Sequence, residues 1–460
     1  MQDSNQEHLK RDLNERHIHL IAIGGAMGTG IFLAVGKAIS SAGPSIILSY
    51  IISSVVIYLI MRALGEVAVE EPISGSFSAY AHKFISPFAG FMVGWSYWFL
   101  WSISCMVQVT AVGIYCNFWW PFLPQWIPAL LTLIFITFIN LLNVKIFGEL
   151  GFWLAIIKVF ALISIVLTGI VIIFLGVNNK DTVVFSNLYR LKGGFFPFGV
   201  NGVLQALVIA MFAFIGVEFI GITADEVKDP QKTIPSTISK TIPFISLLYI
   251  MPIFVVLCMY PWTNLSRGEG VQESVFVTTF LWLGIKKAPS ILNFVVIMAA
   301  ISACNSGVFS NSRMLYNLAL KKDAPAFLAK TSLTKVPINA VLFSSIIVSV
   351  GVIVNFLIPK KAFLFLLNTT TTLAMFTWIS IVLVQMKRRH LMSKEDIVKL
   401  KYPMPCYPYS NIFIFAILVA SIVGLLLDNT IRSSVFIGLG CLVVLYAVHK
   451  LFLRDRILFK

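Results

Sequence analysis

Long apolar segments separated by short polar ones dominate the chain. A helix needs about 20 consecutive apolar residues to cross the hydrocarbon core of a bilayer, and the segments approach or exceed this length. The pattern predicts about twelve spans and hence an all-α, polytopic membrane protein. We expect the spans to start near Ile18, Ser45, Phe88, Gln125, Gly151, Gly199, Ile242, Ser290, Ile338, Phe363, Ile412 and Ser433.

The first apolar segment, residues 18–42, is interrupted by glycines. Four glycines and Thr29 fall between Gly24 and Gly30, and glycine lowers the cost of leaving helical geometry. A second half-helix beginning near Gly30 would point its positive N-terminal end at a bound group, which suits a carboxylate. Gly24 and Gly28 also form a small-xxx-small packing face. This stretch by itself leaves both interpretations open.

The sixth segment repeats this feature. It runs through Met211 to Glu218, and Gly216 can relax the helix near the middle of the membrane. Spans 1 and 6 occupy corresponding positions in two five-span halves. Such a pair of glycine-interrupted helices points to a transporter site built from inverted repeats. Opposed half-helices offer N–H groups to an anion and carbonyl groups to a cation, and an α-amino acid carries both charges.

The composition agrees with a membrane protein and sets its topology. Hydrophobic residues make up 58% of the 460 residues, and the mean hydropathy is +0.89, which is too apolar for a soluble protein. The net charge is +15, and most of the 35 Lys and Arg residues fall on the side of the N-terminus. This positive-inside pattern predicts a multi-pass protein of the cell membrane with both termini in the cytoplasm. It accounts for the charge without a nucleic-acid partner.

Three regions follow from the same pattern. Residues 1–17 form a polar cytoplasmic tail without the apolar core of a signal peptide, so we expect the first span to stay in the mature protein. Residues 18–390 form a transport core of ten spans, and residues 391–460 hold the last two spans and a short cytoplasmic C-terminus. The charges of Glu66 and of the run Lys387-Arg388-Arg389 are expected to be solvated at the cytoplasmic interface.

Motifs for catalysis, metals or nucleotides are missing from the sequence. The six cysteines and six histidines show no paired metal spacing, and there is no GxxxxGK[ST], HExxH or GxSxG motif. We therefore expect a protein that is not an enzyme and that uses no metal and no cofactor.

Polar residues deep within the spans are the candidates for function. Lys158 follows Glu149 by nine residues, which puts it about 13 Å into the membrane at about 1.5 Å per residue. An ionisable residue at that depth is a functional candidate, although a structural pairing with carbonyl groups also fits. Gln108 in span 3 makes either a helix–helix hydrogen bond or a substrate contact. The small polar residues around Asn305 line either a tight helix interface or a wet pathway.

Several motifs run in order over roughly residues 10–390. They are Gly24-Gly25-Ala26-Met27-Gly28-Thr29-Gly30-Ile31-Phe32, Arg62-Ala63-Leu64-Gly65-Glu66, Ser74-Gly75-Ser76-Phe77-Ser78, Ile157-Lys158-Val159, Gly221-Ile222-Thr223-Ala224-Asp225-Glu226 and the block from Ser302 to Tyr316. Together they resemble the proton-coupled amino acid transporter (amino acid permease) family of the amino acid–polyamine–organocation superfamily. The resemblance implies twelve spans in a five-plus-five inverted repeat with discontinuous helices 1 and 6.

The resemblance also implies a substrate site. In the family, the backbone at the first break receives the substrate carboxylate, and carbonyl groups at the second break receive the amine. Transferred to this sequence, the substrate-binding candidates are Met27, Gly28, Thr29, Gly30, Gln108, Phe212, Ala213, Ile215, Gly216 and Asn305.

The resemblance further implies a coupling site. Lys158 matches the family lysine whose ammonium group takes the place of a sodium ion in sodium-coupled relatives, and Glu218 is a second proton-coupling candidate. One departure matters, because many family members have a carboxylate where Gln108 stands. A proton or cationic-substrate role of that acid therefore does not carry over to this chain.

The inventory of buried charge sets the expected substrate. Lys158 and Glu218 are the only Lys, Arg, Asp or Glu residues that we place deep within the core spans, and desolvating an unpaired charge costs several kcal/mol. We therefore expect proton-coupled import of a neutral L-amino acid. Phe212, Phe214 and Phe219 indicate an apolar side chain, and the resemblance of residues 293–306 to proline-type permeases indicates a proline-like one. The expected partners are the amino acid, protons and the lipid bilayer, with the protein as a monomer or homodimer.

Two other functions fit the same features. The protein could be an amino-acid exchanger without proton coupling, which would lack accumulation driven by an acid gradient. It could also be a membrane sensor that binds amino acids without moving them, although the short polar tails argue against a sensor.

Overall fold

The computed structural model describes residues 15–73, 75–142, 144–175, 185–191, 193–222, 229–264, 274–282, 286–332, 336–427 and 432–453. Within these ranges every regular element is a helix, which confirms the all-α prediction for this part of the chain. The α-helices are α1 (Glu15–Ala26), α2 (Val35–Ala42), α3 (Ile46–Glu70), α4 (Ser76–Phe84), α5 (Pro87–Cys116), α6 (Trp126–Leu141), α7 (Val144–Leu175), α8 (Gly199–Ala213), α9 (Phe219–Ile222), α10 (Pro230–Met259), α11 (Val275–Trp282), α12 (Ala288–Leu320), α13 (Ile338–Leu357), α14 (Pro359–Leu391), α15 (Lys394–Val398), α16 (Tyr409–Leu427) and α17 (Arg432–Val448).

Most of these helices are long and apolar enough to cross a membrane. The described residues contain nine such helical segments, and the first, Ala22–Glu70, includes a turn at Gly43–Ser45 that separates α2 from α3. α6 and α8 are apolar but shorter, with 16 and 15 residues. The fold is therefore that of a multi-pass membrane protein. The exact number of spans, the inverted repeat and the division into three regions stay predictions.

The helices differ in how much of their surface is exposed. α7 carries Trp153, Phe160, Leu167 and Phe174 at seven-residue intervals, and all four are more than half exposed, so they form one apolar stripe suited to lipid. The other side of α7 is buried and includes Lys158. α5 and α12 pack against each other and are buried along most of their lengths. These two helices form the centre of the molecule.

The first apolar segment is broken at its glycines. α1 ends at Ala26, residues 27–29 are not helical, and a π-helical turn, Gly30–Ala34, leads into α2. Close packing occurs at Gly28 and at Gly30, but not at Gly24, where a Cβ atom would lie 3.5 Å from Ser302 Oγ in ordinary contact. A Cβ atom on Gly28 would lie 2.8 Å from Gln108 Nε2, and one on Gly30 would lie 3.0 Å from the ring of Phe212. The glycines therefore permit both the break and the close approach of neighbouring helices.

The second break lies directly against the first. α8 ends at Ala213 and α9 begins at Phe219, with turns between them. Gly216 has a φ of +113°, a conformation that L side chains rarely adopt, and a Cβ atom there would lie 2.5 Å from the carbonyl carbon of Gly25. Only glycine lets the two backbones approach this closely. The second break also explains why α8 is short.

The charges at the predicted cytoplasmic ends are less exposed than expected. Glu66 is 1% exposed, and Arg388 and Arg389 are 7% and 8% exposed, so the expectation of a solvated interface is wrong for these residues. The Glu66 carboxylate accepts hydrogen bonds from Arg389 Nε at 2.7 Å and Nη2 at 2.6 Å, from Gln385 and from the Met404 N–H. The sequence alone could not reveal this pair, since its members are 323 residues apart.

Candidate functional site

The two broken helices meet around the hydroxyl group of Tyr249 on α10. This oxygen lies 3.0 Å from the carbonyl oxygen of Ala26, at the end of α1, and 2.9 Å from that of Ala213, at the end of α8. A hydroxyl group has one hydrogen, so it donates to one carbonyl at a time. Both carbonyls stand at helix C-termini, which carry partial negative charge. The point between them therefore favours a positively charged donor.

The second half of span 1 presents donors to the same region. The Thr29 N–H donates to the side-chain oxygen of Gln108 over 3.3 Å, and Gly30 begins the π-helical turn. N–H groups at the start of a helical segment have no acceptor within it and attract negatively charged groups. In the structure the amide oxygen of Gln108 fills this position, so Gln108 acts as a neutral acceptor at the first break.

A small cavity, roughly the size of one water molecule, lies between these donors and acceptors. Its lining consists of backbone and neutral side chains, from Gly25, Ala26, Gly28, Gly30, Ser104, Gln108, Phe212, Ala213 and Ile215. An amino acid needs more room than this. Binding would therefore require a lining side chain such as Gln108 or Phe212 to move.

The remaining predicted substrate-binding residues lie outside this lining. Met27 and Thr29 are buried in the first break, and Gly216 is buried in the second. Asn305 lies on α12, where its side-chain oxygen accepts a hydrogen bond from Asn140 Nδ2 on α6 at 2.9 Å. The geometry therefore brings most of the predicted residues together around the two breaks, but it directs Asn305 towards α6.

Lys158 reaches the first break from α7. Its side chain is fully buried, and Nζ donates to the carbonyl oxygen of Gly24 at 2.8 Å and to Ser302 Oγ at 3.1 Å. Both acceptors are neutral, and no carboxylate of the described residues lies within ion-pair distance of Nζ. The amine is therefore held against α1 by dipoles without a compensating charge.

Glu218 lies in the second break and is also buried. Its carboxylate accepts the N–H of Gly216 over 3.0 Å, and the indole groups of Trp101 and Trp378 neighbour it. Trp101 in turn stacks on Phe219, with ring centroids 4.5 Å apart. Each helix break is therefore bordered by one buried ionisable side chain, Lys158 at the first and Glu218 at the second.

Sequence reasoning missed Tyr249 and Ser104. Tyr249 stands between Leu248 and Ile250 in an apolar segment, a pattern typical of helix packing. The one available signal was a hydroxyl group in the interior of a span, where polar groups need partners. Another family motif, Thr223-Ala224-Asp225-Glu226, lies outside the residues that the structure describes.

Comparison with known proteins identifies the class of protein to which this fold and site belong. The family model described as "Amino acid permease" matches residues 17–460. The uncharacterized amino acid permease YtnA of Bacillus subtilis (strain 168) is 43% identical over 450 residues, which cover 98% of this chain and 96% of YtnA.

Two further relatives match over nearly their whole lengths. The probable threonine/serine transporter YbxG of Bacillus subtilis (strain 168) is 40% identical, with 97% of this chain and 96% of YbxG covered. The aromatic amino acid transport protein AroP of Escherichia coli (strain K12) is 41% identical, with 95% of this chain and 94% of AroP covered. The chain therefore belongs to the amino acid permease family. It is a multi-pass membrane transporter of amino acids and not an enzyme, as the motifs predicted.

Proposed function

We propose that this permease is a proton-coupled symporter that imports a neutral L-amino acid with an apolar or proline-like side chain. The observation that carries the proposal is the pair of helix breaks, whose backbones together line one small cavity. Such an arrangement suits a zwitterion. The names of YbxG and AroP specify threonine/serine and aromatic amino acids, and they agree with a neutral substrate.

In this proposal the substrate carboxylate binds at the first break. It accepts from the N–H groups of Thr29 and Gly30 and replaces the side-chain oxygen of Gln108, which holds the Thr29 N–H at 3.3 Å. Gly28 and Gly30 lack side chains, and a Cβ atom at either would crowd Gln108 or Phe212. The carboxylate can therefore approach the backbone closely.

The substrate ammonium group binds at the second break. Its candidate acceptors are the carbonyl groups of Phe212, Ala213 and Ile215; that of Phe212 accepts from the Ile215 N–H at 3.1 Å and has a second lone pair. Ala213 also accepts from Tyr249. An ammonium group has three N–H donors, whereas Tyr249 has one. The substrate ammonium group can therefore donate to several carbonyl oxygens at once, whereas the Tyr249 hydroxyl group can donate to only one at a time.

The absence of a counter-charge selects against charged side chains. Among the described residues that line the cavity, none has an ionisable side chain. A substrate lysine, arginine, aspartate or glutamate would bury its charge without a partner, at a cost of several kcal/mol. Neutral side chains avoid this cost.

Lys158 binds the coupling proton in this proposal. When protonated, it donates to the carbonyl of Gly24 and to Ser302, and so stabilises the arrangement of α1 that binds substrate. When deprotonated, it makes weaker contacts, which favours release to the cytoplasm. The proton shifts the equilibrium because it interacts differently with the two states. Glu218, buried beside the second break, is the next candidate.

Topology completes the proposal. The protein lies in the cell membrane (inner or plasma membrane) with both termini in the cytoplasm, since α14 ends in Arg388, Arg389 and His390 on the side predicted to be cytoplasmic. It works as a monomer or a homodimer.

Uptake into proteoliposomes, with and without an acid-outside gradient, tests the coupling role. We expect Lys158→Ala to abolish gradient-driven accumulation, while binding stays weakened but measurable because the main substrate contacts are to backbone. Lys361→Ala, at an exposed position, is the matched control. If Lys158→Ala still concentrates substrate in response to the gradient, Lys158 is not the coupling site. If the wild type exchanges amino acids but never accumulates them, the protein is an exchanger.

The substrate contacts are tested in the same assay. Gly30→Leu should abolish binding, because its side chain would meet Phe212 where the carboxylate approaches, whereas Gly151→Leu points into open space and serves as the control. Neutral amino acids should compete for uptake, and lysine, arginine, aspartate, glutamate and amino acid amides should not. Strong competition by arginine or glutamate, or transport of an amide, would contradict the proposed site.

A further inference from the structure

A pair of buried amides connects the central helix α12 to α6. Asn140 Nδ2 donates to the side-chain oxygen of Asn305 at 2.9 Å and to the backbone carbonyl of Ile136 at 3.0 Å. Asn305 is fully buried, and its own Nδ2 has no hydrogen-bond partner among the described residues. A buried donor without an acceptor is costly, and an ordered water molecule is the usual partner for such a group.

The amide pair stands between Lys158 and a second cavity. Lys158 donates to Ser302 on α12, and Asn305 follows Ser302 by three residues, which is about one helical turn. Phe309 and Ser312 continue along the same side of the helix at helical spacing. Polar side chains at three of these four positions thus lead from the buried amine towards the end of α12.

The second cavity begins where the amide pair ends. It is roughly the size of one water molecule and is lined by Asn140, Leu142, Phe309, Ser312, Arg313, Val336, Pro337 and Val341. Leu142 and Val336 adjoin the ends of α6 and α13 that the charge pattern predicts to be cytoplasmic. Asn140 therefore contacts Asn305 on one side and borders a space near the cytoplasm on the other.

We propose that the Asn140–Asn305 pair holds the water path by which the proton released from Lys158 leaves to the cytoplasm. The inference rests on the proposed proton coupling through Lys158. The ammonium group gives one proton to water beside Ser302 and becomes a neutral amine. The excess proton then moves along water molecules that the Asn305 and Asn140 amides orient. The substrate leaves by its own cavity between the two helix breaks.

Two charged groups among the described residues face this path, and both are basic. Lys158 lies at the end of the path within the membrane. Arg313 lines the second cavity, with its guanidinium group 3.1 Å above the ring of Phe309. The positive charge of Arg313 repels an excess proton, so it raises the barrier at this end of the path and disfavours a resident hydronium ion there. The proton therefore crosses this cavity without being stored, and Arg313 limits the rate at which it crosses.

The same helix offers a matched control. Asn311 is also fully buried, and its Nδ2 donates to Ser102 Oγ on α5 at 2.8 Å. Asn311 does not line the second cavity. Asn305→Leu and Asn311→Leu each remove one buried interhelical amide contact from α12, but only the first removes a group of the proposed path.

The test uses the full chain in proteoliposomes with a trapped pH dye. We expect Asn305→Leu to slow acidification of the lumen on substrate addition by about tenfold, because the bridging water loses its amide partners. Counterflow exchange of labelled amino acid needs no proton release, so it should fall much less than acidification, and the ratio of acidification to exchange should drop. Asn311→Leu should leave the ratio of the two rates unchanged.

A second variant separates a water path from simple helix packing. Asn305→Ser keeps a hydrogen-bonding group but is too short to keep the contact with Asn140, so we expect it to recover most of the acidification rate. If Asn305→Ser is as slow as Asn305→Leu, the pair is an interhelical contact and the proposal is wrong. The proposal is also wrong if Asn305→Leu lowers the acidification rate and the exchange rate equally, or if this variant acidifies the lumen at the wild-type rate. If the wild type itself does not acidify the lumen, the failure lies in the proposed proton coupling.

Discussion

Lys158 and Glu66 are both buried ionisable residues, but the protein surrounds them in opposite ways. The Glu66 carboxylate accepts two hydrogen bonds from the Arg389 guanidinium group, at 2.7 and 2.6 Å, and further bonds from Gln385 and the Met404 backbone. Lys158 has only a carbonyl oxygen and a hydroxyl group, and both are neutral. One site pairs opposite charges, and the other holds a single amine between dipoles.

This difference separates a structural site from a site that can change charge. Neutralising either Glu66 or Arg389 would leave the other charge buried without a partner, which is strongly unfavourable. Lys158 can lose its proton without leaving a partner charge behind, because both of its hydrogen-bond acceptors are neutral. A lone buried amine next to a broken helix is suited to respond to protons, whereas the paired carboxylate is suited to fix the ends of α3 and α14.

Glu66→Gln gives the largest effect that we expect on stability. It leaves the Arg389 guanidinium group buried and unpaired, so the free energy of unfolding should fall by about 3–5 kcal/mol. The ratio of protons to amino acids moved should not change. Thermal unfolding of purified protein measures the first quantity, and proteoliposome uptake with a pH dye measures the second.

Asp229→Asn is the control for this change. Asp229 lies 3.6 Å from Lys232 Nζ, and both side chains are exposed, so its loss should cost no more than about 1 kcal/mol. The double variant Glu66→Gln/Arg389→Gln should recover part of the lost stability. If Glu66→Gln left unfolding unchanged and altered the coupling ratio, Glu66 would belong to the transport machinery and the contrast with Lys158 would fail.

The deep position of Lys158 and the two helix breaks could be predicted from the sequence, because each is a local departure from an apolar helical segment. A charge in an apolar segment and glycines within a span are visible without any partner. Glu66 looked like an ordinary charge at a helix end, since Arg389 is brought to it only by the fold. Tyr249 and the contact of Asn140 with Asn305 also depend on residues far apart in sequence, 223 and 165 positions respectively. The local chemistry was therefore predictable, and the long-range pairing was not.

Gly216→Ala sharpens the comparison by testing whether the lone amine depends on the broken helices. A φ of +113° costs a non-glycine residue about 1–3 kcal/mol, and the added methyl group would press on the backbone of Gly25, next to the Gly24 carbonyl that holds Lys158. We expect lower thermal stability together with weaker gradient-driven accumulation, measured on the same preparation.

Gly199→Ala is the control for backbone strain without the contact. Gly199 also has a positive φ, +59°, but an added Cβ atom would meet nothing within 4 Å. This variant should lose some stability and keep its accumulation per folded protein. Equal transport defects in both variants would mean that strain alone is responsible. The approach of the second break to α1 would then play no part in supporting Lys158.

Asp323→Asn gives the smallest effect on stability that we expect. It extends the comparison of paired and unpaired ionisable groups to the protein surface. Asp323 lies just beyond the end of α12, partly buried. Burial raises the pKa of this carboxyl from 3.8 to about 6, and the nearby Lys321 ammonium group opposes that shift. The folded protein therefore binds this proton more tightly than the unfolded chain, so stability falls as the pH rises from about 4 to about 6.

Asparagine stays neutral throughout this range, so the variant should match wild type near pH 4 and exceed it above pH 6. The gain should be about 1 kcal/mol, because solvent screens a group that is only partly buried. Melting temperatures across the pH range measure it, with exposed Asp229→Asn as the control. If Asp323→Asn were instead less stable than wild type above pH 6, attraction to Lys321 would outweigh burial. A nearby opposite charge would then be enough to keep a partly buried group ionised at the surface. The ability of Lys158 to lose its proton would then depend more on its lack of a charged partner than on its burial.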